Sequence, residues 1–439
     1  MSADPTQHAA GLTKSARHII LWAAFLGWMG AGMQMALMNL ASGSATQEFL
    51  NLGTLQLPPT ATDSAATPVK PADLKGKWFA FYNAAFLFGA AAGGFVFGSL
   101  GDRAGRAKAM AASILCYGAM SGMAWFATSP EQLMAMRFAT GLGVGGMWPT
   151  GVALASEAWS DVSRPMLSGL LGTAANVGIV LMGVLAAYVR PVTVDDWRWI
   201  LLVAAAPGLL GVVVAIWVPE SPKWLAERNL SAAKTNTPVL AVFQPPLLKL
   251  TLIGICLGTV PLLGGWGSTS WVIPWSEQVH GPTDPSVKAF TSIMRGGGAC
   301  FGGLLGGWAA NFFGRRLSYF LISLSSLTVA MYIYHFLTPL DSQFQAFVFL
   351  LGFVSTFFFG WMPLYLPELF PTHARATGAG VTFNFGRILT AVGVLAAGSL
   401  FMFFGSDYAR VGQVTSLIFA VGLVVILFAP DTTGKRLGS

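Results

Sequence analysis

Charge is scarce in this sequence. Asp, Glu, Lys and Arg make up 10% of its 439 residues and hydrophobic residues 54%, whereas an ordinary soluble domain carries roughly 25% charge. Water is therefore excluded as the main solvent. Cysteine is scarcer still: Cys116, Cys256 and Cys300 all fall inside apolar runs, an odd set that offers neither a disulfide framework nor metal-ligand spacing. The short alternating segments of a β-barrel are missing. The apolar run after residue 18 is too long for a signal peptide and has no small-residue cleavage site at its end. Acid is absent from the middle of every run, because all eighteen Asp and Glu residues lie in a tail, a connection or a run end.

What is present is a succession of apolar runs of the length that crosses a bilayer, about 20 residues each. Bounded by charges, prolines and glycine clusters, they predict helices near 19–41, 78–101, 108–128, 131–157, 164–189 and 198–218. A second six follows near 249–276, 287–312, 317–337, 343–367, 376–403 and 411–429. The expected fold is an all-α membrane protein with twelve transmembrane helices. Residues 1–218 form one six-helix bundle, 219–248 a cytoplasmic linker and 249–439 the second bundle. Residues 43–77, rich in Thr, Ala and Pro, form an external loop. With both tails on one side, that side carries fifteen Lys and Arg residues, and the other carries seven: Lys70, Lys75, Lys77, Arg190, Arg198, Lys288 and Arg410. The positive-inside rule then places both termini in the cytoplasm. The net charge of +7 reflects topology and membrane electrostatics, not a nucleic-acid partner.

The chain also repeats. Gly105-Arg106 in "GSLGDRAGRAK" recurs as Gly314-Arg315 in "GWAANFFGRR", 209 positions later. Glu157, Arg164 and Gly169 recur as Glu368, Arg375 and Gly380, and Pro219-Glu220 as Pro430-Asp431, each 211 positions later. Basic cytoplasmic loops alone would explain the arginines but not the acids or the shared register. The chain is a duplicated six-helix unit, an arrangement common among secondary transporters.

"GSLGDRAGRAK" is similar to the signature between helices 2 and 3 of the major facilitator superfamily. "RFATGLGVGG" at 137–146, "PESPKWL" at 219–225, "PELFPTHARATGAG" at 367–380 and the terminal "PDTTGKR" resemble its sugar-porter and metabolite:proton symporter branches. The resemblance implies two pseudo-symmetric bundles that alternate access to a central cavity. It also implies a cytoplasmic latch of Asp102, Arg103, Arg106, Glu157, Arg164 and Glu220 facing Arg315, Arg316, Glu368 and Arg375 across the seam. Interfacial ion pairs of this kind separate and re-form at small cost. Asn311-Phe312-Phe313 replace the acid and arginine of the first loop, so the latch is expected to be stronger on the first half.

Three arginines lie within spans: Arg137, Arg295 and Arg387. Each costs about 2.5–3.5 kcal/mol at the centre of a lipid-facing helix, so each must face protein, a cavity or an anion. Arg387 lies closest to the midplane, where transporters bind cargo. Arg137 matches the family's helix 4 arginine, a structural or gating residue. A guanidinium grips a carboxylate bidentately, so Arg387 and Arg295, without buried counter-ions, favour an anionic cargo. Gln34, Asn176 and Asn384 are further candidates for the substrate site, with helix-to-helix hydrogen bonding as their other reading. Trp148, Trp271, Trp361 and Tyr365 are candidate cavity walls, although aromatic residues also anchor helices at interfaces. "GLGVGG" at 141–146 matches a dinucleotide fingerprint only in letters, since it lies within a span and follows no strand.

The function expected is alternating-access transport of a small organic anion, a mono- or hydroxycarboxylate, in a bacterial inner membrane. No cofactor or metal is expected, and the protein is expected to act as a monomer in lipid. "GWMGAGMQMALMNL" at 27–40 lacks the acids that many proton symporters of the family carry in helix 1. Proton coupling would then run through Glu48, Glu277, His335 or the cargo's own carboxyl, and uniport is the other possibility. A sugar or polyol cargo is the alternative that "PESPKWL" favours. An intramembrane enzyme is disfavoured, because no G-x-S-x-G or H-E-x-x-H motif is present.

Overall fold

Gly105 and Gly314 show how the repeat is written into the backbone. Their φ angles are 116° and 80°, a region that side chains with a Cβ avoid. At each, one long helix stops and the next begins without an intervening loop. In the computed structural model, which describes residues 12–51, 70–159, 164–230, 239–280, 283–371 and 374–432, the described segments form twelve helical rods.

In the first half these are α1 (Lys14–Phe49), α2 (Pro71–Ala104), α3 (Arg106–Phe126), α4 (Pro130–Ala158), α5 (Arg164–Val184, continued by a π turn to Val189) and α6 (Trp199–Trp217). The second half holds α7 (Leu248–His280), α8 (Val287–Phe313), α9 (Arg315–Phe336), α10 (Phe344–Glu368), α11 (Arg375–Phe403) and α12 (Tyr408–Phe428). Ten are long and apolar enough to cross a membrane. The other two, α4 and α8, hold Arg137 and Arg295 among many glycines, which lowers their hydropathy without shortening them.

The ends follow ordinary capping chemistry. Thr13 accepts from Ala16 N at 3.2 Å, Ser129 from Gln132 N at 3.3 Å with Pro130 at the first helical position, and Asp407 from Arg410 N at 3.0 Å. The loop expected at 43–77 is shorter than its composition suggests. Helix α1 continues to Phe49 and α2 starts at Pro71, because Ser44, Ala45 and Thr46 are buried and Gln47 receives a 2.7 Å hydrogen bond from Lys75. Residues 52–69 lie outside the described residues. So do Lys234 of the linker, Lys435 and Arg436 of "PDTTGKR", and the side chain of Arg164. The linker contains a short helix, Pro222–Leu230.

Close packing repeats with the sequence. A Cβ added to Gly89 would run into the carbonyl of Phe138, and one on Gly93 into that of Leu142. At Gly298 and Gly302, 209 positions later, the obstacles are the carbonyls of Phe349 and Phe353, 211 positions later. Small residues let two backbones touch, here α2 against α4 and α8 against α10. Between the halves, α5 packs on α8 and α2 on α11.

Candidate functional site

A cavity of about 160 Å³ lies between the halves. Its wall is built of residues that occupy matching positions in the repeat. Phe86 of α2 corresponds to Arg295 of α8, and Asn176 of α5 to Arg387 of α11. Trp148 of α4 corresponds to Phe359 of α10, and Gly172 to Phe383; all eight line the cavity. The first half supplies rings and an amide where the second supplies both cations.

Local irregularity brings several of these side chains inward. Helix α7 passes Pro261 into a π turn at Gly264–Ser268, which carries Trp266. Helix α10 tightens to a 3₁₀ turn at Phe357–Gly360, which carries Phe359. Interruptions of this kind are common at functional positions. Trp28 and Trp148 pack with centroids 4.8 Å apart, and Phe86 and Trp266 lie 5.5 Å apart. Trp28, Phe86, Trp148, Trp266, Phe359 and Phe383 thus give the wall several ring faces among aliphatic and small polar residues.

The two arginines differ. Arg387 is 7% exposed; its Nη1 donates to the Ala90 carbonyl of α2 at 3.1 Å and to Asn384 Oδ1 at 3.2 Å, and its guanidinium lies 4.8 Å from the Phe383 ring. No hydrogen bond or ion pair to a described residue holds Arg295, and its buried Nε is unpartnered. Among the described residues, no carboxylate pairs with either.

The remaining candidates divide. Asn176 lines the cavity and donates weakly to Ala299 O at 3.5 Å. Asn384 acts on the cavity through Arg387, in a space that Gly94 leaves open. Gln34 does not line it: the side chain is fully buried and donates to Ala204 O. Asn39, five residues along α1, reaches the wall with an unpartnered buried Oδ1. Three expected wall residues pack elsewhere. Trp271 is enclosed by Phe79, Phe401 and Tyr408, Trp361 packs on Tyr319 and Tyr365, and Tyr365 donates to Pro430 O at 2.9 Å. Trp28 and Trp266 take that role, and periodicity alone could not separate them from the other indoles.

Arg137 is buried inside the first half. Its Nη2 donates to Gln34 O at 2.9 Å, and the guanidinium lies 4.5 Å from the Phe86 ring.

At the end of the bundle that carries the tails, the ion pairs described lie within each half. Arg106 pairs with Asp102 and, at 3.9 Å, with Glu157. Glu220 accepts from Arg106 N at 2.8 Å and Ala107 N at 3.1 Å, closing the exposed amides of the α3 N-terminus. In the second half Arg315 binds Glu368 through Nη2 at 3.1 Å and Nε at 3.2 Å. Ser221 donates to Glu157, and its counterpart Thr432 donates to Glu368 at 2.6 Å. Arg316 donates to Leu427 O, Arg103 is exposed, and Arg375 is half-buried. In the second half, where Asn311-Phe312-Phe313 replace the acid and arginine of the first loop, Arg315 grips Glu368 with two nitrogens in a pair with side chains 13% and 7% exposed.

Comparison with known proteins agrees with this architecture. The chain is 27% identical to a putative metabolite transport protein of Haemophilus influenzae over 80% of this chain and 86% of that one. It is 29% identical to the putative niacin/nicotinamide transporter NiaP of Bacillus subtilis over 80% and 84%. The xylose transporter XylE from E. coli, in a partially occluded inward-open conformation, superposes with a TM-score of 0.70 at 19% identity, covering 97% of this chain and all of that one. The family model described as Major Facilitator Superfamily matches residues 20–394. With its duplicated helical bundles and central cavity, this multi-pass membrane protein belongs to the Major Facilitator Superfamily and is a transporter rather than an enzyme.

Proposed function

We propose that the chain moves a small organic acid with one carboxylate and a flat, ring-sized body, by alternating access through the cavity between its halves. The observation that carries this reading is Arg295, whose guanidinium has no partner among the described residues, on the wall of a cavity that also presents the rings of Trp28, Phe86, Trp148, Trp266, Phe359 and Phe383. A guanidinium kept in such surroundings is costly without an anion, and a carboxylate matches its fork. The volume agrees, since a cavity of roughly 150 Å³ accepts a benzene ring. The Bacillus subtilis relative, named a putative niacin/nicotinamide transporter, supports a ring-sized cargo, and niacin carries the carboxylate as well. By the excess of Lys and Arg, the end that carries the tails faces the cytoplasm.

The test is a binding screen of purified protein against nicotinate, benzoate, a linear monocarboxylate, xylose and an organic cation, followed by uptake into proteoliposomes. Binding of the ring acids with loss in Arg295→Ala is the expected result. Stabilisation by xylose alone would overturn the anion reading and favour the sugar alternative. Acceleration of uptake by an inward proton gradient would support proton coupling, and indifference to the gradient would support uniport.

A further inference from the structure

Helix α7 breaks where it meets the cavity, and the break has a chemistry of its own. Its π turn at Gly264–Ser268 runs directly into a 3₁₀ turn at Thr269–Trp271. Gly265, Thr269 and Ser270 all line the cavity. A Cβ added to Gly265 would meet nothing within 4 Å, so this glycine leaves open space that packing does not demand. The wider turn brings two hydroxyls onto one carbonyl: Thr269 Oγ1 donates to Gly265 O at 3.0 Å and Ser270 Oγ donates to it at 2.8 Å. Thr and Ser commonly bond a carbonyl one turn back in a helix. A hydroxyl has one proton and two lone pairs, and here both protons are committed to the backbone. Neither oxygen receives a hydrogen bond from a described residue. What Thr269 and Ser270, 1% and 3% exposed, keep for the cavity is therefore acceptor capacity alone.

We infer that this break selects the cargo's second substituent, an inference that rests on the carboxylate reading above: the acid carries a hydrogen-bond donor, a hydroxyl or primary amino group, on its ring away from the carboxylate. The spacing suits one ring. Gly386 of α11 abuts Gly258 of α7, and a Cβ on Gly393 would lie 2.6 Å from the Leu263 side chain. The break therefore begins level with Gly393, six residues beyond Arg387, or about 9 Å along the helix at 1.5 Å per residue. A ring with a polar group at each end fills that interval. The two ends of the interval also differ in sign. Arg295 and Arg387, on α8 and α11, bring only donors, whereas the Thr269 and Ser270 hydroxyls of α7 bring only lone pairs. A buried acceptor that meets another acceptor, such as the nitrogen of a neutral pyridine ring, loses water and gains no bond. Acceptors placed in this way discriminate against the analogue that lacks the donor. Trp266 of the same turn adds a ring face beside them.

The experiment is competition binding to the full chain in lipid nanodiscs, with benzoate, 3- and 4-hydroxybenzoate, 4-methoxybenzoate and nicotinate as ligands. The proteins are the wild type, Gly265→Ala, Thr269→Val combined with Ser270→Ala, and Arg295→Ala. The better hydroxybenzoate should bind the wild type roughly three- to ten-fold tighter than benzoate. Methoxybenzoate and nicotinate, which bring an acceptor but no proton, should bind no tighter than benzoate. Gly265→Ala puts a carbon in the open space and should bring the ratio of hydroxybenzoate to benzoate affinity down to about one, with the melting temperature held or raised, since Ala is the better helix former. The double change should erase the ratio as well. Arg295→Ala should weaken benzoate and the hydroxybenzoates alike. Should the double variant not fold, the wild-type series and Gly265→Ala decide. Benzoate or methoxybenzoate binding as tightly as both hydroxybenzoates, or a preference that survives Gly265→Ala or the double change, would overturn the inference and leave the carboxylate reading standing. Binding of no ring acid at all would sink both.

Discussion

Removing Arg295 should cost more binding than removing Arg387, although the sequence places Arg387 closer to the middle of its span. A hydrogen bond to a charged group contributes about 1.5–3 kcal/mol, and a guanidinium offers a carboxylate two in parallel. Arg295 gives none of its donors to a described residue, so both bonds are available to cargo. Allowing for the imperfect additivity of a bidentate pair, Arg295→Ala should lose about 2–4 kcal/mol, or roughly 30- to 1,000-fold in Kd. Arg387 already spends Nη1 on Ala90 O and Asn384 Oδ1. Its replacement should cost cargo only about 1–2 kcal/mol, or roughly 5- to 30-fold. It should also lower the melting temperature without ligand, because two buried acceptors lose their donor. Arg295→Lys should rescue little, since an ammonium lacks the planar fork. Titration calorimetry with nicotinate, paired with ligand-free melting curves, separates the two effects. An Arg295→Ala protein that binds nicotinate within threefold of wild type would refute the reasoning.

Five further outcomes follow from the packing. Trp148→Ala should weaken a ring acid by about 0.5–1.5 kcal/mol beyond the lost contact area while sparing a linear acid, as competition binding would reveal. Gly93→Val and its counterpart Gly302→Val should each fail to yield a monodisperse protein on size-exclusion chromatography, since the added carbons meet backbone carbonyls rather than movable side chains. Arg315→Ala, which leaves the nearly buried Glu368 without its partner, should destabilise by about 3–5 kcal/mol. Asp102→Ala, at a pair whose acid is 60% exposed, should cost less than about 1 kcal/mol in the same melting assay. Gly105→Ala should cost about 1–3 kcal/mol, from its backbone angle and from a Cβ directed at Glu220.

The helices were legible because each is one apolar run punctuated by charge, glycine or proline, and the repeat because glycine and charge recur in register. Cavity residues were only partly legible. Arg295, Arg387, Asn176 and Trp148 stood out because a charge, an amide or an indole near mid-span has few explanations. Sequence cannot tell which indole faces the cavity, since both faces of a buried helix are apolar. Trp266 reaches the wall only because the π turn at Gly264–Ser268 shifts the helix phase, and Trp271 is turned into the core within five residues of it. Gln34 and Asn39 lie five positions apart, nearly a turn and a half at 3.6 residues per turn, so they face different neighbours. The missing acid of the second loop was visible in sequence, whereas the two-nitrogen grip of Arg315 on Glu368 was not, because it depends on how α9 and α10 meet.

The duplication makes the asymmetry of the cavity informative. Two copies of one unit would place the same residues on both sides of the site, yet at both pairs of matching positions the cation lies in the second half, with Phe86 and Asn176 opposite. On the proposed function, an anion gripped by Arg295 and Arg387 would stay with the second half as the bundles rock, and its contacts with Trp28 and Trp148 would be the ones remade. Arg387 has a further part, because its bond to Ala90 O crosses the seam between α11 and α2. A carboxylate that draws that nitrogen away weakens the seam at the moment the site is filled, which links occupancy to motion. Arg387→Ala should accordingly shift the distance between labels on the two halves even without ligand. Arg295→Ala, which makes no such crossing bond, should leave that distance unchanged while abolishing the shift that nicotinate produces in the wild type.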